Sequence, residues 1–231
     1  MKQSFVRLTV LTAGVIILLI LIACGIPSYP YLYPPEAIGG GRTGFVHDSD
    51  NDPNVFIGYE VFYRFYSTDP GAVGGGQAEQ DMQLYFTSSF RISSIVYADE
   101  SSSYNYGFRR AYIEPGGETP PQLLLETADI NTTFTVELIL DDASDNEIEF
   151  SYNGDDYFVR RSVTDSDDNH ISFLGDYDYD NDSDLVASGL DELNIYVAFY
   201  AVPYGIDPET LATLYANGNS EGMEYIGSFQ L

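Results

Sequence analysis

The sequence predicts an all-β protein folded as a sandwich or barrel of antiparallel strands, and three observations carry that expectation. Short runs that alternate apolar and polar residues, rich in Tyr, Phe, Val and Ile, recur from residue 56 onward. Gly, Asn and Asp gather between those runs, where turns need them. Helical periodicity stands out at one place only, close to the C-terminus.

Phe56–Tyr66 reads FIGYEVFYRFY, with Ile57, Tyr59, Val61, Tyr63 and Phe65 on one face and Gly58, Glu60 and Arg64 on the other. Further strands are expected at Met82–Phe86, Phe90–Tyr97, Phe108–Glu114, Thr133–Leu140, Leu193–Val202 and Met223–Phe229. Glu147–Tyr152 and Asp155–Arg161 flank Asn153-Gly154, a pair that supplies φ > 0 at both turn positions and so predicts a tight hairpin. One short helix is expected after Asp207. Asp207 can cap it, Pro208 suits its first turn, and Leu211, Leu214 and Tyr215 form an apolar stripe before Asn217-Gly218.

Two of these runs carry a family resemblance. Gly58-Tyr59-Glu60-Val61-Phe62-Tyr63-Arg64 resembles the third strand of fibronectin type III domains. Gly189-Leu190 followed by Ile195-Tyr196-Val197-Ala198-Phe199-Tyr200-Ala201-Val202 resembles the sixth. Ile195 stands at the tyrosine-corner position, and about 130 residues separate the two runs, where a whole domain of that type has ~100. The resemblance therefore implies an architecture only: an immunoglobulin- or fibronectin-III-like antiparallel β-sandwich with large insertions.

The N-terminus points to export. Lys2 and Arg7 precede an apolar run of 15 residues, Leu8–Ile22, which ends in Leu21-Ile22-Ala23-Cys24. The run is shorter than the roughly 20 residues that span a bilayer. Leu21-Ile22-Ala23-Cys24 resembles the lipobox of bacterial lipoproteins, which implies a signal peptide over 1–23, acyl chains on Cys24 and cleavage before it. Two or more acyl chains give a stable membrane anchor. Gly25 stands where an Asp would signal inner-membrane retention in enterobacterial lipoproteins, so the outer membrane is favoured. Residues 24–44, with Pro27, Pro30, Pro34, Pro35 and Gly39, Gly40, Gly41, Gly44, read as a tether, and 45–231 as the β-sandwich domain. The lipobox, the Tyr-rich tether and the GYEVFYRFY strand together resemble uncharacterised lipoproteins of spirochaetes, a likeness that implies no function.

Cys24 is the single cysteine, so the exported part must fold without an internal disulfide. Removing 1–23 leaves seven Arg, no Lys and 36 acidic residues, a formal charge of −29. Such a surface repels phosphate backbones, which argues against nucleic acid as a partner. The acidity suits a solvated surface in a salty habitat, and locally it suits cation binding. Asp176, Asp178, Asp180, Asp182 and Asp184 alternate in DYDYDNDSD, as Asp48, Asp50 and Asp52 do in HDSDNDP. Carboxylates at every second residue can wrap calcium, and Asp180, Asp182, Asp184 and Asp191 match positions 1, 3, 5 and 12 of an EF-hand-like loop. Leu185 stands at position 6, where that loop turns on Gly. Calcium is thus the one candidate cofactor.

Catalytic signatures fail on context. Gly39-x-Gly41-x-x-Gly44 matches a dinucleotide fingerprint in text but follows prolines rather than a strand. Gly218-x-Ser220-x-Gly222 has no His downstream, and His47 and His170 form no zinc spacing. The expectation is a lipid-anchored envelope protein, non-catalytic, with a binding or structural role toward a protein or glycan. The alternatives are a calcium-stabilised module and an enzyme of unrecognised type. Tyr29, Tyr31 and Tyr33 are candidates for surface contact, with a partner or with the membrane interface.

Overall fold

The computed structural model describes residues 31–71, 76–85, 106–115, 122–124, 127–141, 147–152, 154–174, 177–188, 190, 195–208, 210–215 and 222–231. The expected signal peptide, Cys24 and the strand expected at Phe90–Tyr97 lie outside them. No helix among the described residues is long and apolar enough to cross a membrane.

In chain order the elements begin with β1 (Glu36–Ala37), β2 (Thr43–Val46), β3 (Phe56–Tyr66) and α1 (Gln77–Tyr85). Then come β4 (Arg109–Arg110), β5 (Tyr112–Pro115), β6 (Gln122–Leu124), α2 (Thr127–Ile130) and β7 (Thr135–Asp141). The hairpin β8 (Glu147–Tyr152) and β9 (Asp155–Arg160) precedes α3 (Ser183–Ser188), β10 (Tyr196–Ile206), β11 (Thr213–Tyr215) and β12 (Glu224–Gln230). The protein is all-β and antiparallel throughout its named pairings, as the alternation of the sequence predicts.

Two sheets face each other. The first runs β1-β2-β7-β8-β9-β5. The second is built on the long pair β3–β10, which are the two runs that resemble fibronectin strands. The far edge of β10 carries β12 along Tyr196–Ala201 and then β11 along Tyr204–Ile206. The far edge of β3 carries β6 and β4. The chain changes sheets after β4: the Ala111 N–H donates to the Val61 carbonyl at 2.8 Å, and the next residues pair with β9.

Period-two alternation decides the layers. Tyr59, Val61, Tyr63 and Phe65 of β3 and Val197, Phe199 and Ala201 of β10 point between the sheets. They meet Phe45, Val136, Leu138, Ile148, Phe150 and Val159 of the first sheet. The other faces of the same strands, with Phe62, Tyr66, Ala198, Tyr200 and Val202, are buried too, because Ala78 and Met82 of α1 cover them. A strand buried on both faces reads as a continuous apolar run, which is what YVAFYAV in β10 shows. Ile57 is the exception to the expected face. The register slips there, so Phe56 takes the core position and Ile57 is only half-buried.

Four sequence expectations change. Met82–Phe86 was expected as a strand, but Met82 to Tyr85 belong to α1, whose sequence QAEQDMQLY is made mostly of good helix formers. Ala78 and Met82, four apart, supply the face that packs on the sheet. Among the described residues no helix follows Asp207. The Asp207 carboxylate does accept the Thr210 N–H and hydroxyl, and the Leu211 N–H reaches the Asp207 carbonyl at 2.8 Å. After that single turn Leu211 adopts φ +59°, and Thr213–Tyr215 pair back onto Tyr204–Ile206. The open edge of β10 offers a ladder there, and tertiary pairing outweighs a marginal helix. The tether also ends sooner than 44. Leu32 is buried in the core, β1 and β2 form a hairpin, and the compact body starts at Tyr31 rather than 45. The glycines read as a loose linker are turn residues: Gly39, Gly40 and Gly41, at φ +62°, +68° and +78°, close the β1–β2 hairpin. That hairpin also disposes of the dinucleotide fingerprint, because β2 and not a helix follows it.

Candidate functional site

The structure places some of the polar groups that the sequence singled out, and a buried arginine holds two of them. Arg161, directly after β9, is fully buried. Its Nε–H donates to Asp184 Oδ2 at 3.0 Å, and Nη2 donates to Asp184 Oδ1 at 2.6 Å and to Asp182 Oδ2 at 2.8 Å. Asp184, also fully buried, opens α3 and accepts a hydrogen bond from the Tyr63 hydroxyl at 2.6 Å. The Ser162 N–H in turn donates to the Tyr63 oxygen at 2.8 Å. The guanidinium lies 5.4 Å from the ring centre of Phe65 and 5.1 Å from that of Tyr177. Burial works against the charge on Arg161, but Asp184 and Asp182 outweigh it and hold its pKa above the usual arginine value. Burial and then the Asp184 charge push the Tyr63 hydroxyl well above its ordinary value. This group fastens α3 and the acidic loop to the core.

The five aspartates expected to hold calcium are therefore divided. Asp182 and Asp184 are held by Arg161. Asp178 and Asp180 are exposed, and Asp178 closes a local turn by accepting the N–H groups of Asp180 and Asn181. Asp176 and Asp191 lie outside the described residues. Asp48 and Asp52 accept the N–H groups of Asp50 and Asn54 in turns of the same kind. Among the described residues no group of three or more His, Cys, Asp or Glu is arranged to hold a metal ion.

Both histidines are engaged. His47 is buried, with Nδ1 accepting from the Tyr59 hydroxyl at 2.8 Å and Nε2–H donating to the Ile130 carbonyl at 2.8 Å. Burial lowers its pKa, which keeps the ring neutral and stacked on Phe134. His170 stacks on Tyr112 and contacts the Arg161 carbonyl at 3.1 Å. Ser220 of the Gly218-x-Ser220-x-Gly222 match lies outside the described residues.

A pocket of about 210 Å³ opens where the two sheets meet, between β2 and β12. Its walls are the Gly40–Thr43 end of the β1–β2 hairpin, Asp69 and Gly71 beyond β3, and Tyr225, Gly227 and Ser228 of β12. The Tyr225 hydroxyl donates to the Gly71 carbonyl at 2.6 Å, and the Ser228 hydroxyl lies 3.1 Å from the same phenol oxygen. Asp69 Oδ1 accepts the Gly71 N–H at 2.9 Å, and Thr43 Oγ1 donates to the Ser228 carbonyl at 3.2 Å. Gly227 makes the seam possible: a Cβ there would sit 2.7–3.0 Å from Thr43. Arg42 stands at the rim, paired with Glu137 at 3.0 Å. A carboxylate, three hydroxyls and a guanidinium around bare glycine backbone suit a hydroxyl-rich or peptide group, which needs donors and acceptors together.

Of these pocket residues only Gly40 and Gly41 were singled out from the sequence, and as tether glycines rather than as part of a site. The lining residues come from three separated segments, and only the seam joins them. Arg161 had a legible signal, since it is one of few cations in a chain that holds a long aspartate run. Scans against protein-family models, curated proteins and solved structures find no match to the chain.

Proposed function

We propose that the chain is an exported envelope protein, anchored by acyl chains on Cys24 and favouring the outer membrane, whose β-sandwich is a non-catalytic binding or structural module. The observation that carries this is Leu21-Ile22-Ala23-Cys24 at the end of a short apolar run, followed within seven residues by the start of the compact body at Tyr31. Two or more acyl chains at that point would give a stable hold on a bilayer. The non-catalytic part of the reading is supported by where the titratable groups lie. His47, His170, Asp184 and Arg161 are engaged in packing, stacking or ion pairs that hold the fold. The pocket at the β2–β12 seam supports a binding role, with a protein segment or glycan as the ligand class its mixed donors and acceptors suit.

The test is processing. Wild-type protein should partition into detergent and yield an N-terminal peptide that begins at an acylated Cys24. Cys24→Ser should stay uncut and acyl-free. An intact, unmodified Cys24 in mature wild-type protein would overturn the proposal.

A further inference from the structure

Three of the six large apolar side chains that are most exposed among the described residues gather at one end of the second sheet. Tyr31 and Tyr33 are 39 % and 40 % exposed, and their rings meet edge to face with centroids 4.8 Å apart. Leu32 between them is buried and lies over Gly205, near the end of β10. Gly205 pairs with Leu214 in the β10–β11 hairpin, whose connecting turn begins two residues further on at Asp207 and carries Leu211 at 79 % exposure.

These side chains are held outward by the fold. The Asn51 side chain grips the Tyr33 backbone from both sides, accepting its N–H at 2.9 Å and donating to its carbonyl at 3.1 Å. Asn51 is itself buried. With Leu32 locked in the core, the rings on either side must point out, because side chains alternate along an extended chain. Leu211 is the more telling residue. It adopts φ +59°, a conformation that Gly or Asn takes readily and Leu does not. A leucine that is strained at a hairpin tip and also exposed to water serves neither the turn nor the core. Observed strain of this kind is a pointer to function.

We propose that this end of the sandwich docks into the headgroup layer of the membrane that holds the acyl anchor, with Tyr31, Tyr33 and Leu211 entering it. The inference rests on the anchor proposed above. Six residues, 25–30, separate Cys24 from Tyr31, and the seven steps between the two span at most roughly 25 Å. The anchored end of the body is thus confined near the bilayer surface. Tyrosine rings are at home at headgroup level, where an apolar body and a polar tip are both satisfied. Asp48, Asp50 and Asp52 flank Asn51, which holds Tyr33, and Asp207 precedes Leu211 by four residues; these carboxylates would be repelled by anionic headgroups, so the fitting surface is a neutral, zwitterionic one.

The chain contains no Trp, so Tyr33→Trp, Leu211→Trp and the control Leu84→Trp each create a sole reporter. Leu84 is 59 % exposed on α1, which packs on Tyr66 at the opposite end of β3. Full-length acylated protein is reconstituted on phosphatidylcholine vesicles and separated by flotation. Tyr33→Trp and Leu211→Trp emission should shift to the blue, with quenching by lipid spin-labelled near the headgroup severalfold stronger than for Leu84→Trp. Protein that floats while all three variants emit and quench alike would overturn the docking and leave the anchor standing. Protein that fails to float would overturn the anchor, and the docking with it.

Discussion

Arg161 shows how a single side chain decides the meaning of an acidic run. A buried guanidinium needs both charge and hydrogen bonds, and Asp184 supplies them on two oxygens while Asp182 supplies a third. For those two aspartates the fold already provides the positive partner. Asp184→Asn should destabilise the protein by about 3–5 kcal/mol, because a buried charge loses its partner. Asp180→Asn, on the exposed part of the same run, should stay within about 0.5 kcal/mol of wild type. Urea unfolding of the two variants measures the contrast. Equal small effects would mean that the Arg161 cluster is not closed in solution. The alternation of Asp176–Asp184 was legible in the sequence. Which of its carboxylates turn inward was not, since that depends on α3 lying against Tyr63 and Arg161.

At the level of elements, the strongest local patterns survived and the weaker ones yielded to neighbours. The β8–β9 hairpin closes with Tyr152 opposite Asp155 and Gly154 at φ +86°, as Asn153-Gly154 predicts. The stretch after Asp207 had a good cap and a plausible stripe, yet it became a hairpin because β10 had an open edge there. Leu211 carries the cost. Leu211→Asn should raise stability by about 0.5–1 kcal/mol, since Asn tolerates φ near +60° and the lost side chain is exposed. Thermal unfolding of acyl-free protein would register this, and a loss of stability would show that Leu211 supports the hairpin. The same variant should weaken membrane docking, so stability and docking would move in opposite directions.

For the whole molecule, the dominant physical fact is charge, and its sharpest local expression is Glu224. This residue on β12 is pushed up to about 7 by burial first, then by the carboxylates of Glu79 on α1 and Glu36 on β1, while the Ala37 N–H pulls the other way. A carboxyl raised in the folded state stabilises most below its unfolded value, near 4.5, and loses that contribution as pH climbs through about 7. Thermal midpoints should therefore fall between pH 5 and pH 8, and Glu224→Gln should flatten that fall. Parallel pH profiles for wild type and variant would refute the assignment. Added salt should also raise the midpoint at neutral pH, because it screens a body that carries a large excess of acidic residues.

Alternation, turn residues and composition were enough to read an all-β body, its long strands and its unbalanced charge. These are local properties: a strand with one face in the core writes its period into six to eleven residues. The resemblance of Leu21-Ile22-Ala23-Cys24 to a lipobox is likewise carried by contiguous residues. The rest required residues far apart in the chain to meet. Leu32 entered the core by packing against Gly205 of β10, although its Pro-rich surroundings read as a linker. Thr43, Asp69, Tyr225 and Ser228 form one pocket only through the β2–β12 seam. Tyr31 and Tyr33 reach the end of β10 that carries the β10–β11 turn because Leu32 packs on Gly205. Such meetings are set by packing between distant segments, and a single sequence carries no periodicity that encodes them.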